Sequence, residues 1–176
     1  QKVRDLFALS SDYDPTDKAT QMFFAETQNK LLYATTQQTA AELVLARAKA
    51  DAPNMNLTTW KGTKVRKQDI FIAKNYLNKD EIDTLNRLTV IFLETAELRA
   101  KDRQDLTIKF WKENVDRVLT FNDKSILIGT GSVSNKQMED KIKGVYDQFD
   151  HRRKVYDAQQ EDLKELEQLN KQLKKK

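Results

Sequence analysis

A chain that turns often needs glycine and proline, and this one has four glycines and two prolines in 176 residues. A β-sandwich or barrel of that length would need many more tight turns. The abundance of Ala, Leu, Lys, Glu and Gln favours long helices instead. The expected fold class is therefore all-α, a bundle of about five or six helices with a long C-terminal helix. The chain is long enough for one domain with a substantial core. Its 39% apolar share is enough to fold despite a 33% charged share.

Apolar spacing and capping signals place the elements. Val3, Leu6 and Phe7 share a helical face, so a helix is expected at the start, broken between Ser10 and Pro15. Thr16 or Asp17 can cap a second helix to about Ala34, burying Met22, Phe23, Phe24 and Leu31. Thr39 and Glu42 have capping-box spacing and open a helix to about Ala50, followed by a loop from Ala52 to Gly62. Lys67 to Tyr76 reads as a short helix carrying Ile70, Ile72 and Ala73. Asn78 and Glu81 cap the next, in which Ile82, Leu85, Leu88, Phe92 and Ala96 form a stripe widened by Val90, Ile91 and Leu93. Such a helix belongs in the middle of a bundle. Asp105 or Thr107 can start another, through Ile108, Trp111, Val115, Val118, Leu119 and Phe121. Ser125 to Ser134 is a connector in which Ile126 to Ile128 can pack on the bundle or form a stray strand.

The last helix is the most regular feature. Ser134 and Gln137 form a capping box, and no proline follows. From Met138 a heptad register runs almost to the end, one row being Ile142, Phe149, Tyr156, Leu163 and Asn170. The other row is Met138, Val145, Arg152, Gln159, Leu166 and Leu173. Two readings fit: a coiled coil interrupted by Arg152, Gln159 and Asn170, or one helix with a charged extension. Residues 1–134 are expected to form the bundle core. Residues 135–176 form the long helix, its first half packed on the bundle and its second half extended.

The chemistry is harder to read. With no cysteine, disulfides, thiol nucleophiles and Cys-ligated zinc are excluded, and a cytoplasmic setting is expected. No apolar run is long enough to cross a membrane as a helix. The single histidine, His151, cannot make a His-rich metal site and lies outside any serine-hydrolase motif. No metal site and no cofactor are expected. Gly129-Thr130-Gly131-Ser132 lacks phosphate-loop spacing and reads as a connector. The net charge of +4 is too mild to demand nucleic acid. Even so, Trp60, Lys61, Lys64, Arg66 and Lys67 form a basic patch beside an aromatic, suited to phosphate contact and base stacking. A second set can converge on a pocket if its helices pack antiparallel. It comprises Gln28, Asn29, Lys30 and Tyr33, then Glu42, Arg47 and Asp51, then Asp69, Lys74 and Asn75 with Trp60 and Lys61. Glu42, Arg47, Asp51, Asp69 and Lys74 are its catalytic candidates, with no known signature in their spacing.

Several phrases resemble a known family. They are Phe23-Phe24-Ala25-Glu26-Thr27-Gln28-Asn29-Lys30-Leu31, Thr39-Ala40-Ala41-Glu42 and Leu57-Thr58-Thr59-Trp60-Lys61-Gly62. Ala73-Lys74-Asn75-Tyr76-Leu77, the run from Asp80 to Leu88, and Phe110-Trp111 belong with them. Together they resemble the RhuM-type virulence proteins of bacteria and mobile elements. The resemblance implies an N-terminal helix-turn-helix-like DNA reader, which this segment is expected to lack. It carries no established catalytic residues, and the His-led motif of Fic- or Doc-type toxins is missing here. The function expected is that of an effector or assembly domain beside a DNA-binding module. Leu163, Leu166 and Leu173 would mediate self-association or contact with a protein partner, and nucleic acid is a further possible partner. The alternative is a metal-dependent enzyme on nucleic acid, with a divalent ion held by Glu42, Asp51 and Asp69.

Overall fold

The computed structural model describes residues 8–173, with side chains through residue 171. The helix expected at Val3, Leu6 and Phe7 lies outside the described residues, as does the Leu173 side chain. Among the described residues there are five α-helices and no strand: α1 (Lys18–Thr36), α2 (Ala40–Arg47), α3 (Lys79–Lys101), α4 (Ile108–Phe121) and α5 (Asn135–Leu173). Three 3-10 turns, Pro53–Asn56, Asp69–Phe71 and Ala73–Tyr76, lie between α2 and α3. None of the described helices is long and apolar enough to cross a membrane.

The helix starts follow local capping chemistry. Asp17 accepts from the Thr20 amide at 2.8 Å and caps α1. Thr39 with Glu42 and Asn78 with Glu81 close reciprocal capping boxes at α2 and α3. Thr107 caps α4, and Ser134 with Gln137 does the same for α5. Each arrangement satisfies amides that a helix cannot pair internally.

α1 packs against α2, α3 and α4, while α2 packs against α5 and the turn Ala73–Tyr76. Trp111 is fully buried and meets Phe92 edge-on at 5.7 Å and Phe110 at 5.2 Å. Lys30 of α1 reaches Asp116 of α4 at 2.8 Å. On the other side, Leu43, Val44, Ile70, Tyr76 and Ile142 bring α2, the turns and α5 together.

Several expectations need correction. Lys67 to Tyr76 is not one helix but two 3-10 turns broken at Ile72, whose backbone is extended. The buried Asp69 carboxylate takes the Arg66 amide at 3.0 Å, and Asn75 donates its side-chain amide to the Asp69 carbonyl. These bonds compete with helical pairing and win. The 52–62 loop contains a turn in which Asn54, Met55 and Asn56 all have positive φ, which drives Met55 into the core. α2 ends at Arg47, short of Ala50, because Ala48 turns extended. Met22 is exposed, and Phe121 is 88% exposed. Ile72 is exposed between the turns, and Val90 is exposed on α3, which buries one face rather than its whole girth. In the connector Leu127 packs inward while Ile128 points to solvent.

Candidate functional site

Three of the catalytic candidates, Glu42, Arg47 and Asp69, are engaged in bonds within the fold. Glu42 accepts from the Thr39 amide at 2.8 Å with one oxygen. Its other oxygen takes both the Ser132 amide and the Ser132 hydroxyl at 2.6 Å. These bonds, led by the Ser132 hydroxyl, hold the Glu42 carboxyl down to about 2. The Gly129–Ser132 connector is thereby clamped to the start of α2. Gly131 belongs there for two reasons: its φ is +86°, and a Cβ would sit 2.6 Å from Thr39 Cγ2.

Arg47 forms a two-pronged pair with Glu81, at 2.6 Å and 2.5 Å, and donates to the Tyr76 carbonyl at 2.9 Å. The guanidinium holds the Glu81 carboxyl below its ordinary value. Asp69 is likewise held low, chiefly by its hydrogen bonds with Arg66 and against the opposing effect of burial. Asp51 is exposed in the loop after α2. Among the described residues no three His, Cys, Asp or Glu side chains are grouped to hold a metal ion. The carboxylate trio of Glu42, Asp51 and Asp69 therefore does not assemble.

The basic patch is partly neutralised within the fold. Lys64 pairs with Asp157 of α5 at 2.7 Å, and Arg66 is engaged by Asp69. Lys61 and Lys67 are exposed, while Trp60 lies half-buried against the core.

Lys74, Gln28 and Asn29 do come together. They line a half-open cleft of about 610 Å³ between α1, the Ala73–Tyr76 turn, α3 and the first residue of α5. Its floor is apolar, made by Leu31, Leu32 and Leu85, and Ile72 stands at its edge. Asn86 and Asn135 add two more amides to the walls. Asn29 spends its carbonyl oxygen on the Ala40 amide at 3.0 Å, which leaves its NH2 to donate. An adjoining hollow of about 450 Å³ under the Gly129–Ser132 connector shares Asn29 and Asn135 with the cleft. Sequence reading missed Asn86 and Asn135. The former is one polar residue beside the α3 stripe, and the latter is hidden in a capping signal.

The long helix changes surroundings along its length. Met138, Ile142 and Phe149 are buried against the bundle. Arg153 donates to the Val65 carbonyl at 2.9 Å, and Asp157 meets Lys64. The same register continues along the helix, but Tyr156, Leu163 and Leu166 are each more than half exposed, as is neighbouring Leu169.

A model of the virulence protein RhuM family matches residues 1–157. The chain belongs to that family. No curated protein and no solved structure matches this RhuM-family chain. The family match spans both the cleft and the basic loop, and ends at Asp157, the residue that pairs α5 with Lys64.

Proposed function

We propose that this RhuM-family chain is an assembly module, in which the outer half of α5 pairs with a second copy. It would stand beside the DNA-reading module that the family resemblance implies. One observation carries the reading: the heptad register that buries Met138, Ile142 and Phe149 continues past the bundle with its apolar residues uncovered. A lone helix of that kind is marginal in water, and covering its stripe stabilises it. Two DNA-reading modules tied by such a coil raise each other's effective concentration at neighbouring sites.

Charge favours an antiparallel pair. In a parallel, in-register coil, Asp162 of one helix faces Glu167 of the other, and Arg152 faces its own copy. Run antiparallel about residue 161, the pair sets Tyr156 opposite Leu166, Gln159 opposite Leu163, and Arg152 opposite Asn170 instead of its own copy. Burying the exposed remainder of each leucine contributes about 1 kcal/mol. Leu163→Ala with Leu166→Ala removes four leucines from the dimer, about 4 kcal/mol, and weakens it about a thousandfold. Sedimentation equilibrium on the whole chain tests this, with Leu173→Ala added to complete the seam. A parent that stays monomeric at millimolar concentration ends the reading. The absence of cysteine makes single-cysteine variants clean reporters of direction. A mixture of Arg152→Cys and Asn170→Cys should cross-link, whereas Asn170→Cys alone should not.

A further inference from the structure

We propose that the cleft between α1 and α3 binds a mononucleotide-like ligand, meaning one anionic group carried on a flat heterocycle with hydrogen-bonding edges. This does not depend on how α5 pairs. Three features of the walls define the ligand. Lys74 is the only charged side chain lining the cleft among the described residues, and no carboxylate faces it there. A single cation without a counter-charge accepts one anionic group and repels cations. The amides of Gln28, Asn86 and Asn135 form no hydrogen bonds within the described fold, and Asn29 keeps its NH2 free, so the walls offer both donors and acceptors. Side-chain amides read the donor–acceptor edge of a nucleobase, as Asn and Gln do for adenine. Below them, Leu31, Leu32 and Leu85 offer an apolar bed for a flat ring, with Ile72 beside it.

The volume of about 610 Å³ falls in the range of small-molecule sites and suits one nucleotide rather than a strand. Thr89, which also lines the cleft, gives its hydroxyl proton to the Leu85 carbonyl at 2.8 Å and so contributes little to recognition. One lysine is also too small a basic surface for a nucleic-acid polymer, whose affinity grows with the number of phosphates neutralised. The ligand's anionic group sits at Lys74, its ring on the leucines and its polar edge against the amides.

The test titrates the full chain calorimetrically with AMP, GMP, CMP and UMP, with the four matching nucleosides, and with benzoate as a plain aromatic acid. At least one nucleotide should bind about tenfold or more tightly than its nucleoside, the worth of one charge-assisted contact. Lys74→Ala should erase that difference. Asn86→Leu should weaken the nucleotide about tenfold while the melting temperature stays at the parent value, because Lys74 and Asn86 are both exposed. Lys67→Ala, outside the cleft, should change nothing. The proposal is overturned if no nucleotide binds at millimolar concentration, or if binding survives Lys74→Ala unchanged. Benzoate binding as tightly as every nucleotide would overturn it too, by showing an acid site that does not read a base.

Discussion

Removing Arg47 should destabilise the fold without touching the cleft. Its guanidinium makes two short bonds to Glu81 and one to the Tyr76 carbonyl, tying α2 to the last turn and to the start of α3. The side chains are 24% and 15% exposed, so the pair is shielded but not fully dry. Charged hydrogen bonds contribute about 1.5–3 kcal/mol each, and part of that is regained when water replaces the arginine. Arg47→Ala should therefore cost about 3 kcal/mol, which for a domain of this size lowers Tm by roughly 6–12 °C. Glu81→Ala should cost about the same, since it also removes the carboxylate that caps the Asn78 amide at 2.9 Å. The double variant separates pairing from capping: thermal and urea unfolding of all four proteins should give a coupling of about 2 kcal/mol. Additivity within about 0.5 kcal/mol would refute the clamp. An Arg47→Ala protein with parental Tm would show that these bonds do not hold the fold together.

Other consequences of the same geometry can be measured directly. Gly131→Ala forces both a left-handed alanine and a Cβ against Thr39, and should cost about 2 kcal/mol or more, with faster amide exchange over residues 129–134. Glu42 is depressed from 4.5 to about 2, so its stabilising effect is fully present above about pH 4.5 and is lost as pH falls toward 2. Glu42→Gln should accordingly flatten the acid side of the stability curve while lowering its neutral plateau; an unchanged acid limb would dissociate the carboxylate from the connector. Phe121→Lys should leave Tm within about 1 °C, because that ring is almost wholly in solvent.

What could be read in advance was what is decided locally. The boxes at Thr39, Asn78 and Ser134 involve residues three apart, and each forms as its spacing predicts. The α4 stripe of Ile108, Trp111, Val115 and Leu119 is buried for the same reason. Periodicity gives a stripe's direction but not its width, which is why Met22 and Phe121 lie outside the core they were expected to join. The segment from Asp69 to Tyr76 departs from its helical spacing because its conformation is set by a buried carboxylate, by the Asn75 amide and by the Tyr76 hydroxyl bonding to the Ile70 carbonyl. Burial pushes that hydroxyl's ionisation well above the usual tyrosine range, so it stays a donor. The cleft was legible only in Gln28, Asn29 and Lys74. Its other walls come from α3 and the start of α5, and nothing in their local sequence says that they meet.

Because α5 runs unbroken from Asn135 to Leu173, the bundle and the exposed leucines are keyed to one shaft. Each residue added or removed between Asp157 and Leu163 turns the outer stripe by about 100° relative to the cleft. Adding seven brings it back to within about 20°. The angle at which a second copy is presented is thus encoded by residue number alone. A variant with one extra alanine there also turns Val155 and Tyr156 away from the leucines they share a seam with, so it should dimerise more weakly than a variant with seven added residues, as read by sedimentation equilibrium.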